Sequence, residues 1–267
     1  MEPVAALRSW SWRARALGLA AAAAVIAVAL APAVRRGPSF HDYADERPWL
    51  GLPNAADVLS NLPFVAVGLA GLILVPRIAT HLRAGAARVF AALIAVGLGS
   101  AAYHVEPTDL TLVLDWLPIV LVLAWLVALV LTDRVGARAG RIAAWSLPAA
   151  AVAAVMVWWL GGGTRGGDMR WYVGLQVSLV VAVPAIALVF SPRPPRPSRP
   201  VGGLATRELL IAVACFVAAR AATAGDRALL DRVGVSGHTL KHLIAALASA
   251  CVLLALRRGA RRADLQT

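Results

Sequence analysis

The sequence has 267 residues, of which 60% are hydrophobic and only 15% are charged, against about 25% charged residues in ordinary soluble domains. A soluble protein of this length could not bury so much apolar surface in one core, so the composition excludes a soluble globular protein and favours the membrane. The formal net charge is +12, but the basic residues stand in short clusters between apolar runs, which argues against nucleic acid as a partner.

Eight apolar runs are long enough to cross a bilayer, which takes a helix of about 20 residues. Connections rich in glycine and proline separate several of them. The predicted fold class is therefore all-α, a polytopic transmembrane helical bundle with a seven-helix core and one extra N-terminal helix. We predict helices, in chain order, at residues 14–34, 56–76, 86–104, 110–132, 141–160, 171–190, 205–224 and 237–256.

The first apolar run has two interpretations. Arg8, Arg13 and Arg15 precede an Ala-rich stretch that ends in Ala31-Pro32-Ala33, a pattern typical of a signal peptide followed by its cleavage site. The stretch is about 20 residues long, and the apolar core of a signal peptide has about 7–15. The length favours a helix that is retained in the protein.

The distribution of arginine predicts the orientation in the membrane, because cytoplasmic loops carry an excess of basic residues. The two termini and every second loop hold most of the basic residues and few acids. The expected location is therefore the cell membrane, with both termini in the cytoplasm. We divide the chain into an N-terminal tail with the extra helix, the seven-helix bundle that carries the function, and a basic cytoplasmic tail, at residues 1–38, 39–257 and 258–267.

Three of the five histidines fall at predicted helix ends on the extracytoplasmic side. His104 closes the third helix, and His238 and His242 open the last one with the i, i+4 spacing that projects both rings from one face. His41 and His81 fall in predicted loops, where a solvated side chain is the ordinary explanation. Ionisable groups near membrane depth are costly and usually mark function. Three imidazoles and one water form the open four-coordinate arrangement of catalytic zinc, so we predict Zn²⁺ at this trio.

Two further polar residues lie at the same predicted depth. Ser100 is one helical turn before His104, and Asp115 follows it after a short turn into the next helix. Each also has a purely structural explanation. A serine is small enough to let helices approach closely, and an acid in the first turn of a helix interacts favourably with the helix dipole.

Four motifs together resemble the alkaline ceramidases, within the wider superfamily of seven-helix membrane hydrolases that includes adiponectin-receptor-type proteins. Their order and spacing are similar over roughly residues 40–256. The motifs are Asp57-x-x-Ser60-Asn61, Gly99-Ser100-x-x-x-His104, Leu114-Asp115-x-Leu117-Pro118 and Ser236-Gly237-His238-x-x-x-His242.

The resemblance implies a zinc-dependent amidase that splits ceramide, or a related N-acyl lipid, into a sphingoid base and a fatty acid. The zinc ligands would be His104, His238 and His242, and the catalytic pair would be Ser100 and Asp115. The expected partners are a ceramide-like lipid substrate and the bilayer.

The resemblance also raises the question of calcium, because animal alkaline ceramidases bind Ca²⁺ through an acidic N-terminal loop. Calcium prefers hard oxygen ligands. However, Arg47 and Asn54 stand where an uncharged oxygen donor and a carboxylate are expected, and Arg47 could instead pair with the acids. Both alternatives are open. The candidate calcium ligands are Asp42, Asp45, Glu46, Asn54 and Asp57.

Two other classes of function compete with hydrolysis. A lipid receptor or sensor would use zinc structurally and would close the site with a fourth protein ligand, but no cysteine is well placed for this. A transporter usually has broken helices and repeated halves, and no sequence repeat is evident. The pattern favours an enzyme.

Overall fold

The structure is a computed structural model that describes residues 12–37, 39–162, 167–190 and 203–264, with side chains described as far as residue 260. The described chain is an all-α helical bundle, as predicted. Its helices are α1 Trp12–Leu30, α2 Ala55–Leu59, α3 Leu62–Leu74, α4 Thr80–Val105, α5 Asp109–Arg134, α6 Ala137–Leu160, α7 Arg170–Val189, α8 Thr206–Ala224, α9 Asp226–Val233 and α10 Gly237–Asp264. A short 3₁₀ helix, Val75–Arg77, continues α3.

Seven segments of the described chain are long and apolar enough to cross a membrane. An eighth qualifies if α8 and α9, which meet at an angle of 82°, are counted as one bent span. Prolines 118, 148 and 184 lie inside helices, where membrane proteins tolerate them because neighbouring groups satisfy the freed backbone carbonyls. The chain is therefore a multi-pass membrane protein, with spans close to the eight that hydropathy predicts.

Helix α1 lies on the outside of the other helices. It runs antiparallel to α7, since Arg13 at its start donates to the carbonyl of Val189 and Arg170 donates to the carbonyl of Ala31 just beyond its end. Only Ala14 of α1 is buried. The remaining spans form the core, in which α4 and α5 lie next to each other and α10 packs against α8.

A buried ion pair lies at one end of the bundle, where α5 ends. The Arg134 guanidinium contacts the Asp133 carboxylate and also donates to the carbonyl of Leu204 and to Thr206 Oγ1. The Leu204 N–H donates in turn to Asp133 Oδ2 over 3.0 Å. The chain that leads into α8 is thus anchored to the end of α5. The three histidines of the predicted site lie at the opposite end, which we call the histidine end.

The structure differs from the predicted elements mainly at helix termini. Helix α4 begins at Thr80 rather than residue 86, so His81 lies in a helix and the prediction of a loop is wrong there. The second predicted helix is interrupted at Ser60-Asn61, and the short helix α9 was not predicted. Apolar runs mark only the part of a helix that lies in hydrocarbon, so they do not locate polar ends or short amphipathic turns. Arg8, Gly163, Gly166 and the proline-rich connection at 191–200 lie outside the described residues.

Candidate metal centre

Three buried imidazoles converge at the histidine end. His104, at the end of α4, is fully buried, and His238 and His242, in the first turns of α10, are 5% and 3% exposed. Their ring centroids are separated by 4.7 to 5.0 Å. One nitrogen from each ring lies within 4.8 Å of the other two. The predicted trio is brought together, and it could hold a metal ion.

The orientation of His242 is fixed by the break between α2 and α3. His242 Nδ1 lies 2.8 Å from Ser60 Oγ, and the Ser60 hydroxyl donates to the carbonyl of Asp57 over 2.9 Å. Because that hydroxyl has given its hydrogen to the carbonyl, Nδ1 must be the donor in its contact with Ser60. The lone pair of His242 is then on Nε2, which is buried without a hydrogen-bond partner. A metal-binding histidine is usually held by such a hydrogen bond from its other nitrogen.

His238 is positioned by the short helix α9. Asp226, the first residue of α9, accepts the backbone N–H of His238 with Oδ1 over 2.8 Å. Its other oxygen accepts the N–H of Ala44. At Gly237 a Cβ atom would collide with the carbonyl oxygen of Ala222, so only glycine permits this close approach of α10 to the end of α8. The start of α10 is therefore tied to α8, α9 and the chain before α2.

His104 reaches the centre because α4 and α5 cross closely. A Cβ atom at Gly99 would collide with the carbonyl oxygen of Leu114, so glycine is required at this crossing. The carbonyl of His104 accepts a hydrogen bond of 2.8 Å from the Asn54 side chain. His104 Nε2 lies 3.1 Å from His238 Nε2. Two nitrogens bound at about 2.0–2.1 Å to one tetrahedral ion are about 3.3 Å apart, so this spacing fits a shared metal.

The segment before α2 covers the centre. The ring of Tyr43 packs edge-on against His104 and His238, with centroids 4.8 and 4.2 Å away. Its hydroxyl donates to the Tyr103 hydroxyl, which also contacts His41 Nδ1. His41 is therefore only partly exposed and is part of this network, so the prediction of a solvated side chain is wrong. Arg36 joins the same network by pairing with Asp109 at the start of α5.

Ser100 and Asp115 lie together at the polar end of an apolar cavity. Both are buried and line the cavity, and the two side chains are close enough to interact. Asp115 Oδ1 has no hydrogen-bond partner, which leaves it available to a ligand. The cavity has a volume of about 160 Å³, and His242 lies at the same end of it. Its apolar walls include Phe64, Phe90, Trp116, Leu126, Tyr172 and Val252.

Two basic residues at this end were not singled out from the sequence. Lys241 and Arg220 line the same cavity, and Lys241 Nζ lies 2.7 Å from His238 Nε2. The lone pair of His238 Nε2 can accept only one partner. The contact with Lys241 and the binding of a metal therefore exclude each other. A signal was available in the sequence, since Lys241 is its only lysine among 26 basic residues.

The candidate calcium ligands do not come together. Asp42 and Glu46 are exposed, Asn54 donates to the carbonyl of His104, and Asp57 Oδ1 accepts from Thr239. Among the acids, cysteines and histidines of the described ranges, the histidine trio alone forms a group that could hold a metal. These five residues therefore give no metal-binding group among the described acids and histidines, and calcium binding itself stays a prediction.

The alternative of a salt bridge in place of calcium is confirmed for one of these acids. Arg47 donates to both carboxylate oxygens of Asp45, over 2.7 and 2.6 Å. This hydrogen-bonded guanidinium holds the pKa of Asp45 below its usual range. Arg47 also donates to the carbonyl of Gly234, so the pair fastens the segment before α2 to the loop before α10.

The residues present fit a bound metal, provided that the Lys241 ammonium moves away from His238 Nε2. The three rings are buried, their nitrogens are suitably spaced, and the hydrogen bonds of His242 leave the metal-facing nitrogen unprotonated. Neutral imidazoles suit zinc and several other transition metals.

Two comparisons with known proteins give no match. No protein-family description matches the chain, and no curated protein is similar to it. The resemblance to alkaline ceramidases therefore rests on the motifs alone.

Proposed function

We propose that the protein is a zinc-dependent membrane amidase that hydrolyses ceramide or a related N-acyl lipid. The observation that carries the proposal is the juxtaposition of the histidine trio, Ser100 and Asp115 with one end of an apolar cavity. A bound zinc ion would polarise the amide carbonyl and activate water for attack.

The cavity suits an acyl chain in both length and lining. On α5 it extends from Asp115 to Leu126, and on α10 from Lys241 to Val252, which is about 16 Å along each helix. One leaflet of a bilayer has an apolar thickness of about 15 Å, half of the hydrocarbon core. A lipid chain in the cavity would place its polar amide beside the histidines.

Asp115 is the proposed proton carrier. Its unpartnered Oδ1 would accept a proton from the attacking water and deliver it to the leaving amine. This is the usual role of a general acid–base group. Ser100, held beside Asp115, would donate a hydrogen bond to the oxyanion that develops on the former carbonyl oxygen. Both residues are fixed on rigid helices, which keeps them aligned with the metal.

A lipid receptor or sensor with structural zinc is the second candidate. A structural zinc site is closed by four protein ligands. In the part of the chain that the structure describes, no fourth His, Cys, Asp or Glu joins the trio, and this favours the enzyme.

The test is a hydrolysis assay with the Asp115→Asn variant. We expect the purified protein to release fatty acid from a ceramide with a labelled acyl chain. Asp115→Asn should lower kcat by about 10²–10⁴, the usual contribution of a general acid–base group, while the bound zinc is unchanged. Because the trio remains intact, metal analysis separates loss of chemistry from loss of the centre. Full turnover by a preparation that contains no metal, or by Asp115→Asn, would contradict the proposed function.

A further inference from the structure

The polar end of the cavity carries more positive charge than hydrolysis of a neutral amide requires. Lys241 and Arg220 both line it, and Asp115 is the one carboxylate among its lining residues in the described chain. Lys241 interacts electrostatically with Arg220 and Asp115, and more weakly with Asp57 and Asp226, which do not line the cavity. A bound metal would add further positive charge.

The acids nearest this end are hydrogen-bonded to groups other than Arg220. Both carboxylate oxygens of Asp226 accept backbone N–H groups, and Asp57 Oδ1 accepts the Thr239 hydroxyl. Within the ranges that the structure describes, Arg220 forms no ion pair and no hydrogen bond.

The position of Arg220 points to a ligand. It lies one turn before the end of α8, after a run of apolar residues at 209–219, and it is exposed while also lining the cavity. A charged residue in a membrane span usually faces a cavity and marks a substrate path. Basic residues on the side predicted to be extracytoplasmic also do not contribute to the orientation of the protein.

Lysine and arginine are not used interchangeably in this chain. Among the lysines and arginines every other residue is an arginine, and the one lysine lines the polar end of the cavity. An ammonium is a compact point charge, whereas a guanidinium is a broad planar fork. The combination of the two around one opening suits an anionic group with several oxygens.

We propose that Arg220 and Lys241 form an anion site at the mouth of the cavity, and that the preferred substrate is an N-acyl lipid with a phosphate or carboxylate on its amine portion. This inference rests on the proposed function for the placement of the acyl chain. Since that chain fills the apolar cavity, the anion must lie on the other side of the amide, beside the two cations. The inference adds to the proposed function that the substrate belongs to a charged class of lipid.

Binding tests the inference without requiring turnover. We would measure the binding of ceramide and ceramide 1-phosphate, each tritiated in the same acyl chain, to the metal-free full-length protein in a neutral detergent. We expect the phosphate to tighten binding by about 10- to 100-fold, the size of a charge-assisted hydrogen bond. Arg220→Gln should remove most of this preference, and Arg220→Lys, which retains the charge, should retain part of it.

Arg232→Gln is the matched control, because Arg232 is also exposed near the histidine end and does not line the cavity. It should leave the preference unchanged. Equal binding of the two lipids would overturn the inference. So would an equal loss of preference in Arg220→Gln and Arg232→Gln, which would indicate a general effect of surface charge. Hydrolysis of ceramide with no preference in binding would leave the proposed function standing and remove the anion site.

Discussion

At the scale of single residues, the candidate metal centre depends on side chains that are not themselves ligands. Ser60 holds His242 in the tautomer that presents Nε2, and Asp57 supplies the carbonyl that orients Ser60. Partners of this kind typically contribute 10- to 100-fold to metal affinity, so about that range is expected here. The centre is therefore sensitive to changes that leave all three histidines in place.

We predict that Ser60→Ala weakens zinc binding by about 10- to 100-fold without removing a ligand. Competition with a chelator of known affinity measures this change. Ser178→Ala is the control, since the Ser178 hydroxyl donates to the carbonyl of Gly174 within its own helix, far from the trio in sequence. Equal zinc affinities for Ser60→Ala and Ser178→Ala would show that Ser60 does not orient His242.

The sequence predicts the metal-binding histidines better than it predicts the residues that hold them in place. The histidines could be found because their spacing and depth follow from helix periodicity and the order of the spans. Ser60 belongs to one of the four motifs, but its contact with His242 depends on the interruption between α2 and α3. The contact of Asp226 with the start of α10 depends on α9, and that helix is too short to give a hydropathy signal. The pattern of metal ligands does not indicate Arg220 or Lys241, because a cationic side chain does not bind a metal ion.

At the scale of elements, close helix contacts bring the polar residues together. Gly99 allows α4 to touch the backbone of α5, which sets Ser100 beside Asp115. Gly237 allows α10 to approach the end of α8 in the same manner. Small residues at helix contacts are common in membranes, where packing replaces the hydrophobic effect as the driving force.

We predict that Gly99→Ala destabilises the protein by about 1–3 kcal/mol, the usual cost of overpacking, and lowers turnover. The added methyl group meets the Leu114 carbonyl, so α4 and α5 must separate. Thermal unfolding in detergent and the ceramide assay measure the two effects. Gly18→Ala is the control, because a Cβ atom at Gly18 meets nothing within 4 Å. A Gly99→Ala protein as stable and active as Gly18→Ala would argue against a tight crossing.

At the scale of the whole molecule, we predict that the histidine end faces away from the cytoplasm. The basic loops predict this orientation, and the fold separates the two ends by the length of α5, about 39 Å for its 26 residues. The number of spans could be predicted because a bilayer imposes a fixed length on each apolar run. The bend of 82° between α8 and α9 could not be predicted, since α9 is too short to give a hydropathy signal.

Single cysteines test the orientation in a background in which Cys215 and Cys251 are replaced by alanine. Asp231→Cys places a thiol at an exposed position of the histidine end, and Arg138→Cys places one at an exposed position of the opposite end. We predict that a membrane-impermeant maleimide labels Asp231→Cys on intact cells, and labels Arg138→Cys only after permeabilisation. The reverse pattern would place the histidine end in the cytoplasm.

The central claim is that the ends of α4 and α10 hold one metal ion through three imidazoles. Zinc-edge X-ray absorption of the purified protein, combined with metal analysis, measures this directly. We predict about one zinc per chain with three nitrogen ligands at about 2.0–2.1 Å and an additional oxygen, and loss of the metal in His238→Ala. A fully folded protein without stoichiometric metal, or one whose zinc survives the removal of His238, would contradict the account.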